Sequence, residues 1–540
     1  MFTGIFKVTL RGWKLDVLQS ALCGVLVALC IEPFKLSVII FFAYVPLLFV
    51  LERTRSFWKL LLYAWIAVFI QTLISFQWIH LVSREFGNLS WFTSLMILLA
   101  FALFTNFYLQ IFTVLYYLAH RISKNSTSRI FYFIVVPSIF MLGEVLDPRI
   151  FNWYAGNLLS SFKYMVQFAD VLGVESLSFA IMVVNVAVFL IIKKKKWLFN
   201  SIVIVTPLIF LSVYGYYDYK NVKGFQDTCP KIKVGVIQAN IGNPWQLSVA
   251  EALRLTAEFN EDRRSLHSEL IYKKYESMTE KLLSDNRDID LIVWPETAFP
   301  GYYIDGNPMM HRHKEMVKKL GLPFLIGGYY LEDGSRNGRY YNSAILITPE
   351  GRVDFYHKTK LLPFGEYIPL SHTFPFLKNV VPEVGDFSRG AGPATLDLPV
   401  DGLELRFAPT ICYEMLKSPY VREMVKKDAN ILLNLSNDSW FGSIEPYQHL
   451  RLTVMRAIEY RRPIVRSTNT GVTSLIDMTG TIITKSSIHD EESFVFDVPI
   501  CDHRYRTFYT VAGFMFAPLV ALISLLSLLY LRGLRLRRRR

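Results

Sequence analysis

Apolar runs close to the roughly 20 residues needed to cross a bilayer, or a little short of it, recur through the first part of the chain. They lie at about 17–31, 36–51, 59–80, 92–119, 130–147, 168–192 and 197–217, and an eighth runs over about 511–531. Between the seventh and the eighth the pattern changes. Residues 231–238 alternate, 250–283 follow a helical period with scattered charges, and 289–294 form a short buried-strand pattern. Residues 322–330 give another strand, 340–348 and 353–357 a hairpin around Pro349-Glu350-Gly351, and 403–411 a strand that stops at Cys412. Then come a strand at 429–435, a helix at about 447–461, a strand at 464–467 and a second hairpin, 473–477 with 481–485, around Met478-Thr479-Gly480. The pattern predicts two architectures in one chain: a multi-span α-helical membrane domain of about eight helices, and a layered α/β sandwich with reactive residues on the loops at strand ends. The expected boundaries are 1–219 for seven spans, 220–508 for the α/β domain, and 509–540 for the last span and its basic tail.

Composition agrees with a membrane protein, since 52 % of the 540 residues are apolar. The net charge of +13 would suit nucleic acid, but much of it sits in short clusters beside the apolar runs and no nucleic-acid-binding module is present. Lys7, Arg11 and Lys14 precede the first run; Arg53, Arg55 and Lys59 follow the second; His120, Arg121, Lys124 and Arg129 follow the fourth. Residues 193–196 follow the sixth, and Arg532, Arg535 and residues 537–540 follow the last. Every second connection is basic, so the positive-inside rule predicts cytoplasmic termini and an extracytoplasmic α/β domain. The first run lacks a small-residue cleavage site and is expected to be retained. Glu144, Asp147-Pro148-Arg149 and the aromatic stretch 151–157 predict an interfacial or re-entrant segment, as a simple anchor or as the lining of a lipid cavity.

Five cysteines without a CxxC pair argue against a zinc site or a disulfide scaffold. Cys23 and Cys30 share a helical face in the first run, where core packing is the default. Cys229 and Cys501 bracket the α/β domain, and an oxidising compartment permits them to pair if the fold brings them together.

Three strand ends carry Glu296, Lys358 and Cys412. A thiol that titrates near 8.5 needs a base to take its proton and a cation to favour thiolate. Glu296 is suited to the first task and Lys358, as ammonium, to the second. Lys358 and the backbone N–H of Tyr413 are suited to hold the oxyanion formed on an attacked carbonyl. Of the histidines, His357 abuts Lys358 and His449 sits in the helix, where a structural network with Arg456 and Glu459 is expected.

The segments Trp294-Pro295-Glu296-Thr297-Ala298, Lys358 followed by Leu361-Leu362-Pro363-Phe364-Gly365-Glu366-Tyr367, and Ile411-Cys412-Tyr413-Glu414 resemble the three signatures of the nitrilase superfamily. More narrowly, with Asn437-Asp438-Ser439-Trp440-Phe441, Gln448-His449 and Thr468-Asn469-Thr470-Gly471, they resemble the apolipoprotein N-acyltransferase family over nearly the whole chain. The pattern differs at Ile444-Glu445-Pro446, where a glycine more often precedes the proline, and around Trp245, a lid residue or an aromatic packed on a loop. The resemblance implies an αββα sandwich facing the periplasm of a bacterial inner membrane, a Glu296–Lys358–Cys412 triad, and Glu366 and Glu414 as supporting carboxylates. It implies a monomer that moves an acyl chain from a phospholipid to the α-amine of a diacylated apolipoprotein, with no cofactor and no metal. The alternative is a membrane-tethered amidase acting on a small amide or nitrile. A transporter or scaffold with an inert outer domain would leave the three groups without purpose.

Overall fold

The computed structural model describes residues 12–537 except 86, 88, 124–127, 243–262, 305, 333–337, 370, 372, 375–386 and 401. Trp245 lies outside the described residues. The chain divides into two compact units, residues 1–217 with 511–540, and residues 218–510.

The first unit is helical. Among the described residues, five helices are long and apolar enough to cross a membrane: Phe57–Ser75, Trp91–Ile122, Met165–Ile192, Trp197–Asp227 and Gly513–Arg537. Phe131–Leu146 is apolar but shorter. The eight apolar runs therefore do not correspond to eight long helices. The first is the 16-residue helix Trp13–Ala28, and the second breaks into the 3-10 turn Ser37–Phe41 and the helix Val45–Arg53. Broken backbone in an apolar setting needs hydrogen-bond partners from the protein. Asn185 supplies them here, accepting from Tyr44 N at 2.9 Å and donating to Ile40 O at 2.8 Å.

The Glu144–Asn157 stretch is tied inward in the same way. Asp147 accepts from the N–H of Phe107, where the 91–122 run is interrupted, and pairs with buried Arg149 at 2.9 Å. Glu144 accepts from Ala155 N at 2.7 Å, and the 3-10 helix Ala155–Ser161 that follows is buried over Ala155 to Leu159. Cys23 is buried within the first helix and Cys30 in the turn just past its end, so both pack inside as expected.

Among its described residues the second unit holds two sheets. The first has seven strands: β1 (Lys231–Gln238), β2 (Leu291–Val293), β3 (Tyr302–Tyr303), β4 (Phe324–Leu331), β5 (Tyr340–Ile347), β6 (Val353–His357) and, from the far end of the unit, β13 (Glu492–Pro499). The second runs through β7 (Leu396–Val400), β8 (Leu403–Ile411), β9 (Ile431–Ser436), β10 (Ile464–Thr468), β11 (Ser474–Ile476) and β12 (Ile482–Lys485). Each has a parallel centre, β1–β2–β4 in the first and β8–β9–β10 in the second. Those strands are buried almost throughout, as strands covered on both faces must be. Helices Arg263–Asp285 and Pro308–Leu320 cover the first sheet, with Tyr272, Tyr275, Met316 and Val317 packed around Trp294 and Phe324. Helices Ser418–Val425 and Glu445–Tyr460 belong with the second, where Ile458 and Val454 meet Gly480. Gln238 on β1 accepts from Thr468 and Ser486, which joins the two sheets.

The hairpins β5–β6 and β11–β12 form as the sequence pattern predicts. β13 and β7 were not legible in it. β13 pairs with β1 in a register, Lys231 opposite Pro499, whose extension carries Ile500 N to Pro230 O and sets Cys229 opposite Cys501. These two cysteines form a disulfide with Cα atoms 5.2 Å apart. Spacing alone left that pairing open, because it requires a strand contact 272 residues away in sequence.

Candidate active site

The parallel strands of both sheets release their loops at one edge, the usual place for a site in an open α/β sheet. Glu296 follows β2, Lys358 follows β6, Cys412 ends β8, and Asn437 and Asp438 follow β9. Close backbone approach makes this possible. A Cβ on Gly327 would sit 2.5 Å from Glu296 Cα, and one on Gly390 would sit 2.0 Å from His357 O, so both positions admit only hydrogen.

Lys358 is 1 % exposed, and its ammonium lies between two carboxylates. Its Nζ is 2.7 Å from Glu366 Oε1 and 3.3 Å from Glu296 Oε1. Asn342, near the start of β5, donates from one amide nitrogen to both, at 2.7 Å to Glu296 and 3.1 Å to Glu366. Its carbonyl accepts from Lys358 N at 2.8 Å. The remaining Glu296 oxygen accepts from Asn437 N at 2.8 Å, a bond from the second sheet to the first. Glu366 Oε2 accepts from Leu362 N and so closes its own loop. Burial pushes Glu296 up, with Lys358 opposing and Glu366 reinforcing. For Lys358, burial favours the neutral amine, but Glu296 and Glu366 outweigh it and hold the ammonium.

Cys412 takes a left-handed backbone, φ +49°, at the start of the 3-10 helix Cys412–Leu416, and Tyr413 follows in its first turn. Cys412 is 7 % exposed. Burial and Glu296 push its pKa well up, and Lys358 pulls it down without prevailing. The resting group is therefore a thiol and not the preformed thiolate that a neighbouring cation suggests. Glu414 is fully engaged: Thr359 N (2.7 Å) and Lys360 N (3.0 Å) donate to one oxygen, Tyr356 OH (2.6 Å) and Ile411 N (3.0 Å) to the other. It ties the segment after Lys358 to the turn that carries Cys412.

His357 is held by Ser343 at 2.7 Å and stacks on Tyr341. His449 departs from the sequence expectation. Arg456 and Glu459 pair with each other at 3.0 Å, whereas His449 faces Asp438, Glu445 and the Cys412 backbone. A helix position gave no hint of this, because only the packing of Glu445–Tyr460 beside the Cys412 turn brings the ring there. Asn342 was also missed. Its one local signal is a buried amide at a strand start, which sequence cannot tell from a turn residue.

The arrangement provides a buried thiol, a carboxylate whose proton affinity is raised, and a fixed ammonium, the parts needed for acyl transfer through a covalent intermediate. Two family models match the chain: carbon-nitrogen hydrolase over residues 233–500 and the apolipoprotein N-acyltransferase N-terminal domain over residues 23–187. An apolipoprotein N-acyltransferase of Bdellovibrio bacteriovorus is 33% identical over 92% of this chain and 90% of its own. One of Geobacter metallireducens is 30% identical over 93% and 92%. Among solved structures, a Saccharomyces cerevisiae member of branch 10 of the nitrilase superfamily overlaps 50% of this chain and 90% of its own, at 16% identity and a TM-score of 0.36. The Cys412 turn and the Glu296–Lys358 pair lie within the carbon-nitrogen hydrolase match, the N-terminal-domain match precedes it, and the two relatives extend through both: the chain belongs to the apolipoprotein N-acyltransferase family.

Proposed function

We propose that this protein transfers a fatty acyl chain from a membrane phospholipid to the α-amine of a diacylglyceryl-cysteine lipoprotein, with Cys412 as nucleophile, Glu296 as base, and Lys358 with the Tyr413 N–H as oxyanion donors. The observation that carries the reading is the buried Lys358 ammonium held by Glu296 and Glu366 at the strand-end edge where Cys412 stands. Glu296 takes the thiol proton as Sγ attacks the ester carbonyl, and the proton then passes to the departing lysophospholipid oxygen. The substrate amine attacks the thioester, Glu296 accepts its proton, and the amide forms as the thiol is released and reprotonated. Glu366 and Glu414 hold Lys358 and the Cys412 turn in place. An acyl chain would leave the bilayer only at about 0.8 kcal/mol per CH₂, so the long apolar helices suit a lipid donor and give a small-amide hydrolase no advantage.

Residues 220–508 are then the catalytic domain on the periplasmic face of a bacterial inner membrane, with both termini in the cytoplasm. A reporter inserted at Gly351 and one fused to the C-terminus are expected on opposite sides; the same side for both would overturn the topology. Phospholipid alone is expected to acylate the protein and release lysophospholipid in one burst, and a diacylglyceryl-cysteine peptide added later should become N-acylated. Cys412→Ala should give no burst. A full burst from that variant, or lysophospholipid that appears only when both substrates are present, overturns the covalent scheme.

A further inference from the structure

The proposed chemistry draws on Glu296, Lys358 and Glu366 and leaves a second polar cluster beside the same thiol without a task. Asp438, Glu445, His449 and Arg466 are all buried. Cys412 Sγ, one Asp438 oxygen and one His449 nitrogen lie within 4.8 Å of one another. His449 Nδ1 is 3.6 Å from Glu445 Oε1. His449 Nε2 and Glu445 Oε2 are both buried without a hydrogen-bond partner among the described residues. An unsatisfied buried polar atom is costly, and two of them on residues of the cluster beside one thiol point to a ligand. Asp438 itself is anchored, by Arg466 at 2.7 Å on one oxygen and Ser436 at 2.6 Å on the other.

Thiolate, imidazole and carboxylate are the donor set of a four-coordinate soft divalent cation. A neutral imidazole has a lone pair to give a metal. We propose that Cys412 and His449, with Asp438 and Glu445, form an inhibitory site for a Zn²⁺-like cation. Its effect on the enzyme rests on the reading of Cys412 as nucleophile; its existence does not. Ligand atoms around zinc stand about 3.5 Å apart, so the side chains close by about 1 Å on binding. The Cys412 S–H bond breaks, an S–metal bond forms and the proton leaves to solvent; a neutral Glu445 releases a second proton when it ligates. With both carboxylates and the thiolate ionised, the cation and Arg466 are neutralised. A metal-bound sulfur cannot attack an ester, and an acylated sulfur cannot bind the metal, so cation and donor exclude each other.

The test uses the full chain in detergent, titrated with Co²⁺ and followed by absorption, with Zn²⁺ as competitor. A sulfur-to-cobalt charge-transfer band is expected, lost when Zn²⁺ displaces Co²⁺ and absent from Cys412→Ser, which retains Cys23 and Cys30. His449→Gln should weaken Zn²⁺ by at least the roughly 10–100-fold that losing a mere outer partner costs. Wild-type affinity should fall about tenfold per pH unit on acidification for each proton released. Zn²⁺ should also slow iodoacetamide alkylation of Cys412, and EDTA should restore it; these wild-type readouts decide the matter if His449→Gln does not fold. No cobalt–sulfur band, a band persisting in Cys412→Ser, or a folded His449→Gln with unchanged affinity overturns the site. The lysophospholipid burst is measured separately. A band without a burst leaves the metal site and removes acyl transfer; a burst without a band does the reverse.

Discussion

The carboxylate region at the edge of the first sheet and the one at the edge of the second are both buried, yet they are built differently. Glu414 accepts from three backbone N–H groups and a tyrosine hydroxyl, so every bond it makes is to a donor that cannot leave. Glu296 shares an ammonium with Glu366 and takes one backbone N–H and one amide, and its proton affinity is raised by burial and by the second carboxylate. The first arrangement fixes geometry. The second keeps a carboxylate of raised proton affinity beside a charged Lys358, which is what the proposed role of Glu296 as base requires. Burial alone does not distinguish structural acids from chemical ones; the donors do.

The strongest way to break this contrast is to exchange each acid for its amide. Glu296→Gln is expected to abolish both lysophospholipid release and N-acylation, since an amide accepts no proton, even in protein that remains folded. Glu414→Gln should act through stability, because its NH₂ faces donors where it needs acceptors. Each unsatisfied buried group costs about 1–3 kcal/mol, read as a lower unfolding midpoint. A folded Glu296→Gln that keeps the burst, or a Glu414→Gln that unfolds at the wild-type midpoint, would erase the distinction.

Lys358→Ala is expected to slow the acyl burst by about a hundredfold or more, the usual cost of an oxyanion donor. It also removes the cation that holds Glu296 down, so the remaining activity should need a higher pH.

The smallest effect concerns pH itself. The base acts ionised, and burial raises its pKa, so kcat/KM should rise with pH through a value above the ordinary range for glutamate and fall on the acid side. Asn342 donates to the ionised form, so Asn342→Ser should move that acid limb further up in pH, with kcat on the plateau changed less. An unmoved limb would show that Asn342 only shapes the strand.

The two-part architecture, the central strands and the placement of Glu296, Lys358 and Cys412 at strand ends were legible in the sequence. Period, run length and the three motifs around Glu296, Lys358 and Cys412 are local properties. The membrane unit was less legible. A hydropathy run does not reveal whether its backbone stays helical: Asn185 satisfies a break at Tyr44 that leaves the second run in short pieces, and Asp147 satisfies one at Phe107 within the fourth.

What the sequence determined by itself is which groups are present and in which order they leave their strands. Hydrophobic periodicity and side-chain chemistry act over a few residues and need no knowledge of the rest of the chain. Tertiary structure alone decided which groups meet. Asn342 reaches both carboxylates, Asn437 links the second sheet to Glu296, His449 turns toward Cys412, and Cys229 finds Cys501 through the β1–β13 register. Each of these depends on a sheet order or a helix position that brings distant segments together. The pKa directions follow from the same cause, because burial and neighbouring charge exist only once the two sheets have closed on the site.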